Sequence, residues 1–537
     1  MTLDNVNRSL WRGALLLTAA GLVVKILSAV YRIPYQNIAG DLGFYVFQQV
    51  YPFYAIAAAI AFTGYPMAFS RVVSVHRGSA KEKDVIATSF WSVCALGGLT
   101  FILLFSSAPR LALWMGDPAL SDPLRVISFL FLVIPFTAFY RGYFQGMGEM
   151  VSTAVTQIIE QIVRVSGILI VSYVLVKAGS SAYETGTGAL AGSLSGAVIS
   201  SILLYRYFKT SSTHKLRRTF SFSFSVLKEL LRGSIYLSLS AMVLVLMQMA
   251  DAFSFVNLLT ENGYRELPAR ELKGIFDRGQ PLLQLGTVLA ASLALALVPE
   301  VSALYTAKEH EKVRSLCRLS LKISISFGAA AALGLAVIME PVNMMLFKNS
   351  DGSIELSVLS LSVLFASVIF TATGLLQGLG LYRSAGIAVV AGVFLKVVLN
   401  VWLIPIWGMM GAGIATVIAT GATAFIQIFL LQRKTAVFTW RSWGLDILKL
   451  TAALVLMLLA AILAMEGLTA LTGLNHRLEA SAAAILSAII GAGTFFAALL
   501  AAKYLRNENM ESILEAVPKA RKWADSWNKR RQRWQGK

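Results

Sequence analysis

Among the charged residues within or at the ends of long apolar runs, Lys25, Arg32, Glu160, Arg164, Asp251, Arg278 and Lys396 are the ones whose position could serve chemistry. An ionisable group inside a bilayer is costly to keep there and is usually tied to function or to a partner. Lys25 and Arg32 are seven residues apart, so a helix places them on one face with Ser28 between them. Either Arg32 snorkels to the headgroups while Lys25 pairs with a carboxylate, or both face a hydrated cavity and attract an anion. Glu160 and Arg164 stand at i,i+4, a spacing that favours an ion pair on one helix face. Such a pair is either structural or part of a charged cavity wall.

Lys396, with Asn400 one turn further on, has no acidic neighbour on its own segment, which favours the cavity for it. Asp251, close behind Gln248, could bind Na⁺, carry a proton or neutralise a lysine, and structural pairing is its default. Arg278 lies in the stretch Phe276-Asp277-Arg278-Gly279-Gln280-Pro281. A guanidinium there could hold phosphate oxygens in a bidentate fork; the alternative is a surface feature formed with Asp277. Glu300, next to Pro299, carries less weight because it falls near a segment end.

Other chemistries find little support. His76, His214, His310 and His476 all fall between apolar runs, so no serine–histidine–acid set is credible. Cys94 and Cys317 are the only cysteines, too few for a disulfide framework or a metal cluster. No HExxH, CxxC or phosphate-binding glycine loop occurs, so neither an enzyme nor a resident metal or cofactor is expected. The mid-segment charges are mostly basic and suit an anion such as a diphosphate. A pocket for cationic drugs would more naturally carry carboxylates.

The elements that must position these residues are read from hydropathy. The 537 residues are 57% hydrophobic and 14% charged, with mean hydropathy +0.69. Apolar runs fall near 10–34, 44–70, 85–106, 124–145, 151–176, 186–208, 233–258, 280–304, 318–346, 355–380, 384–404, 410–431, 445–465 and 481–502. Runs of this length read as transmembrane helices, and their unbroken apolarity argues against a β-barrel. The expectation is an all-α polytopic membrane protein of about 14 helices. The first run is too long for a signal-peptide core and contains Lys25, so it should remain as helix 1.

The net charge of +19 is unevenly spread. The join after the sixth run carries Arg206, Lys209, Lys215, Arg217, Arg218, Lys228 and Arg232. The join 37–43 has no Lys or Arg, and 259–279 balances four basic residues with four acidic ones. This asymmetry places both termini and the basic joins in the cytoplasm, and it argues against nucleic-acid binding as the use of the charge.

The chain also repeats itself. Slid forward until Arg141 meets Thr373, the stretch Arg141–Val165 falls on Thr373–Val397. Gly142/Gly374, Gln145/Gln377, Gly146/Gly378, Gly148/Gly380 and Ser152/Ser384 are then identical, and Arg164 meets Lys396. Two parallel six-helix repeats plus two C-terminal helices are expected, with a substrate site between the repeats. The boundaries are an N-lobe at 1–209, a basic linker at 210–229, a C-lobe at 230–432, two further helices at 433–504 and a basic tail at 505–537. In the tail, Trp523, Trp527 and Trp534 would share one face of an interfacial helix.

The stretches KILSAVYRIPYQNIAGDLGFYVFQQVYPFY (25–54), QIIEQIVRV (157–165), FDRGQPLLQLG (276–286) and LKVVLNVWLIPIWGMMGAGIAT (395–416) resemble the MOP exporter superfamily. Within it, they resemble the polysaccharide-export branch of SpoVB-like and MurJ-like flippases. The resemblance implies an alternating-access carrier of an undecaprenyl-diphosphate-linked saccharide in the bacterial cytoplasmic membrane, with cell-wall synthesis enzymes as further partners. It implies a basic cavity to which Lys25, Arg32 and Arg278 contribute. The family also places basic residues on helix 2, where AIAAAIAFTGYPMAF has none; Arg164 and Lys396 are the candidates to supply that charge. Asp251 is the candidate for coupling to Na⁺ or H⁺, with the membrane potential as a further driving force. The competing readings are a MATE-like cation-coupled drug exporter, a membrane glycosyltransferase and a scaffold for cell-wall enzymes.

Overall fold

The computed structural model describes residues 3–79, 81–211, 222–437, 440–472 and 477–504. Residues 212–221, half of the basic linker, and the whole Trp-containing tail lie outside the described residues. Among those described, every regular element is helical.

The first crossing is α1 (Leu3–Val30). It continues through Tyr31 into the first turns of α2 (Arg32–Ala59) as far as Gly40; the rest of α2, a π-helical turn (Ile60–Gly64) and α3 (Tyr65–His76) form the second crossing. Pro66 stands in the first turn of α3, where its missing N–H ends the regular ladder and the widened turn absorbs the break. Crossing three is α4 (Glu82–Trp114). Crossing four joins α5 (Ser121–Ser128) to α6 (Leu130–Gly146), and crossings five and six are α7 (Val151–Lys177) and α8 (Ala182–Ser211).

The second set starts with α9 (Phe224–Ala241) and α10 (Val243–Glu261), one crossing bent at Met242. Next come α11 (Glu266–Asp277) leading into α12 (Gly279–Thr306), α13 (His310–Val337) with α14 (Met339–Phe347), and α15 (Ser353–Ser360) with α16 (Ser362–Gly378). Helix α17 (Tyr382–Thr435) holds crossings eleven and twelve, and α18 (Trp440–Thr472) and α19 (Arg477–Ala501) complete the fourteen.

Twelve continuous stretches are long and apolar enough to cross a membrane. Two of them, Ala19–His76 and Tyr382–Thr435, run to 58 and 54 residues, against roughly 20 needed for one crossing. Each contains a glycine with positive φ, Gly40 (φ 70) and Gly408 (φ 54), where the helical path breaks. Each therefore supplies two crossings.

The internal repeat is visible in local structure. Helices α5 and α15 have the same length and start at matching positions of the two copies, as do α6 and α16. The left-handed turn residues Gly148 (φ 82) and Gly380 (φ 76) keep the same offset, and so do Gly116 (φ 77) and Lys348 (φ 72). Helices α18 and α19 pack on each other and against α13 and α14, outside both six-crossing sets. Asp446 of α18 pairs with Lys322 of α13 at 2.5 Å and with Arg318 at 3.4 Å.

Candidate functional site

Where α1 passes into α2 the backbone stays helical through Tyr31 (φ −62, ψ −24), and Tyr31 and Arg32 both face the interior. Arg32 is fully buried, with its guanidinium 4.2 Å from the centre of the Tyr51 ring. None of its three side-chain nitrogens has a protein hydrogen-bond partner. It does not snorkel. Tyr51 carries the neighbourhood further, because Ser28 and Gln284 face its hydroxyl.

Arg164 approaches the same aromatic group from α7. It is 3% exposed and lies 5.0 Å from the Tyr31 ring and 4.5 Å from the Tyr54 ring, and its Nε and Nη2 have no hydrogen-bond partner. The Tyr51 and Tyr54 rings are 5.8 Å apart. Two guanidinium groups therefore share one patch of tyrosine faces, which attract cations but do not neutralise them. Lys25 is half-buried, with its Nζ 6.0 Å from the Phe370 ring of α16 in the second set.

The expected Glu160–Arg164 pair does not form. Glu160 is instead bonded at 2.6 Å to Arg141 of α6, which also donates to Ser200 at 3.1 Å and lies 4.1 Å from the Phe62 ring. Arg141 is completely buried, and without this carboxylate it would stand as an unpaired buried charge. Arg164 is left with its charge uncompensated.

Lys396 is corrected in the opposite sense. It does not line a cavity as an unpaired cation. It is fully buried and bonds Asp251 Oδ1 at 2.8 Å, the Ala412 carbonyl at 2.9 Å and Thr416 Oγ1 at 2.7 Å. Asn400 donates to Asp251 Oδ1 at 2.9 Å and to Ser254 at 2.7 Å, while the Gln248 Nε2 close by has no partner.

Arg278 is also committed. Its Nε and Nη2 form a fork to Asp41 at 2.9 and 2.5 Å, and its Nη1 reaches Asn349 at 2.5 Å and Asn343 at 3.4 Å. Its donors are spent on protein oxygens, so in this conformation it is a latch and not a free phosphate clamp. Nor is Asp277–Arg278 a surface feature: both residues are fully buried, and Asp277 pairs with Lys273 at 2.6 Å.

The latch belongs to a belt that ties the two sets together at one end. Asn37 donates to the Leu346 carbonyl at 2.7 Å and Lys348 to the Asn37 carbonyl at 3.0 Å. Arg270 meets Asp117 at 3.4 Å, and Asn257 donates to the Trp114 carbonyl at 2.6 Å. At the opposite end the π-turn and α3 pack on α9, with Gly64 against Ser234 and Ser238 and Gly233 against Ala68. Small residues there let the helices approach closely. Held at both ends, the sets enclose Arg32 and Arg164.

Sequence reasoning missed Asp41, Arg141 and the three tyrosines. Tyr51 and Tyr54, one helical turn apart, were the available signal; nothing local marked the partners of Asp41 or Arg141. Among the described residues, no group of three or more His, Cys, Asp or Glu is placed to hold a metal ion.

Comparison with known proteins agrees with this architecture. The polysaccharide biosynthesis protein family matches residues 10–305, and the lipid II flippase MurJ family matches residues 279–478. The uncharacterized membrane protein YabM of Bacillus subtilis is 40% identical over 79% of this chain and 80% of its own. Lipid II flippase MurJ of the same organism is 25% identical over 80% of this chain and 83% of its own. Stage V sporulation protein B of that organism is 25% identical over 79% of this chain and 83% of its own. Among solved structures, lipid II flippase MurJ in an inward closed conformation superimposes with a TM-score of 0.67 at 15% identity, covering 90% of this chain and all of that one. An inward-facing multidrug MATE transporter gives 0.60 at 20% identity, over 78% of this chain and 94% of that one. Both superpositions speak for the fold alone. The chain, a multi-pass membrane protein, belongs to the polysaccharide biosynthesis protein family.

Proposed function

We propose that this protein is an alternating-access flippase that moves an undecaprenyl-diphosphate-linked cell-wall saccharide, lipid II or a related polysaccharide intermediate, from the inner to the outer leaflet of the cytoplasmic membrane. The observation that carries this reading is the pair Arg32 and Arg164: two buried guanidinium groups on one tyrosine patch, neither paired with a carboxylate. A buried cation in this position has an unfilled demand for anionic oxygen, and a diphosphate supplies it. Each charge-assisted contact contributes about 1.5–3 kcal/mol.

A lipid tail also has somewhere to go. An apolar cavity of about 320 Å³, lined by Leu285, Leu289, Phe327, Met457 and Phe495, lies between α12, α13, α18 and α19 and can take a stretch of such a tail. The 37–43 end, which the Asp41–Arg278 latch closes, is assigned to the outer face, and the Gly64 end and both termini to the cytoplasm. The cycle then consists of opening the Gly64 end to load and the Asp41 end to release. Because the anion contacts must weaken for release, the two arginines separate from the tyrosine patch or from each other as the halves move. The membrane potential, worth roughly 2.3 kcal/mol per charge per 100 mV, or a coupled cation resets the carrier. Cell-wall synthesis enzymes are the natural neighbours on either side of the step.

The test is rescue of cells depleted of their lipid II flippase, scored by lipid II exposed on the outer leaflet. Wild type should rescue, and Arg32→Gln and Arg164→Gln should not, at equal membrane levels. Failure of well-expressed wild type rejects lipid II and moves the reading to another lipid-linked glycan. Rescue by both variants removes the anion role of the two arginines.

A further inference from the structure

The Lys396 ammonium sits in an all-oxygen cage. It is bonded by a carboxylate oxygen of Asp251 on α10, by the Ala412 carbonyl and by the Thr416 hydroxyl, at 2.7–2.9 Å. Asn400 steadies the carboxylate from one turn away, and its own Oδ1, buried in the same place, has no protein partner. Another buried lysine shows how different this is. Lys273 bonds both oxygens of Asp277 at 2.6 Å, between the Phe255 and Phe276 rings, each 5.8 Å away. That is a simple ion pair in an aromatic setting. Around Lys396 the donor set is carboxylate, carbonyl and hydroxyl converging on one point, with a further amide oxygen unused. Hard cations select that set of ligands.

The cage also bridges crossings that the chain must hold in register. Asp251 comes from crossing seven, Lys396 and Asn400 from crossing eleven, and Ala412 and Thr416 from crossing twelve beyond the break at Gly408. Whatever positive charge occupies the centre fastens three crossings. It also keeps Asp251 from standing as an uncompensated buried carboxylate.

We propose that this cage is a monovalent-cation seat which the protein fills with its own Lys396 ammonium. The native carrier therefore takes no Na⁺ at Asp251, and withdrawing the ammonium converts the cage into a Na⁺ site. The inference concerns a site in the second set alone, and it holds whichever lipid the first set's arginines recognise.

The experiment is thermal unfolding of the purified full-length protein, followed by intrinsic fluorescence, in NaCl, LiCl, KCl and choline chloride at equal ionic strength. Wild type, Lys396→Asn and the double variant Lys396→Asn/Asp251→Asn are compared. Asparagine is short enough to vacate the Nζ position and leaves an oxygen to ligate. Wild type should melt at the same temperature in all four salts. Lys396→Asn should melt lower in choline and recover by at least about 3 °C in NaCl, since an ion bound only by the folded state stabilises it. The double variant, which no longer needs a cation, should lose that response. A Na⁺-specific rise in wild type overturns the proposal, and so does a folded Lys396→Asn that ignores the salt. A Lys396→Asn protein that stays unfolded in saturating NaCl overturns it as well, because the ion should replace the ammonium.

Discussion

Arg164 and Lys396 occupy the same place in two copies of one repeat, yet their surroundings are opposite. Arg164 lies between tyrosine rings with two nitrogens unpartnered; Lys396 is held by a carboxylate, a carbonyl and a hydroxyl. The difference is not in depth, since both side chains are buried. It lies in what neighbouring helices send toward them. In the first set, Arg141 claims Glu160 before Arg164 can. In the second, position 392 is glycine where the first set has Glu160, and Asp251 arrives from α10 instead. Duplication thus gave two buried cations, and the partners around them set them apart: one is left without a carboxylate, which the proposed function uses to take an anion, and the other is consumed in holding helices together.

That contrast can be broken most forcefully at Lys396. Lys396→Met should leave Asp251 buried and alone, destabilising the protein by about 3–5 kcal/mol, read as a large drop in melting temperature in choline chloride. Next in size is Arg164→Gln, which should leave the melting temperature unchanged or raised while cutting flipping roughly tenfold to a hundredfold, the loss of one charge-assisted anion contact.

A subtler change tests why Arg164 stays free. Arg141→Met releases Glu160, one turn from Arg164, to form the i,i+4 pair it now forgoes. Flipping should fall several-fold with Arg164 intact, and the added change Glu160→Gln should restore it. If the double variant remains as poor as the single one, sequestration of Glu160 is not what keeps Arg164 available. The smallest effect is expected at the shared latch. Asp41→Asn leaves the other ties of the belt in place and should raise labelling of a cysteine placed at Asn349 only a few-fold, in a background lacking Cys94 and Cys317.

The fold was legible because a crossing announces itself through an unbroken apolar run, and the repeat because glycine turns such as Gly148 and Gly380 fall at a fixed offset. The site was legible only as a set of costly charges. The pairing of Glu160 depended on Arg141, nineteen positions away, and that of Arg278 on Asp41, 237 positions away. Helical spacing reports neighbours on one helix and says nothing about which helix comes alongside. Arg278 read as a phosphate clamp because a fork that fits phosphate fits a carboxylate equally well.

Gly64 has a consequence for handling the molecule. Its backbone is ordinary right-handed helix (φ −64, ψ −58), so alanine would be welcome there on conformational grounds. A methyl group would nevertheless meet the Ser238 hydroxyl well inside van der Waals contact and the Ser234 carbonyl at 2.9 Å. The clash exists only while the two sets touch at that end. Gly64→Ala is therefore a state-selective wedge: each increment of about 1.4 kcal/mol of collision moves the balance tenfold toward the form open at the Gly64 end. It would hold in place, for capture with a bound lipid or an antibody fragment, a conformer that is otherwise transient.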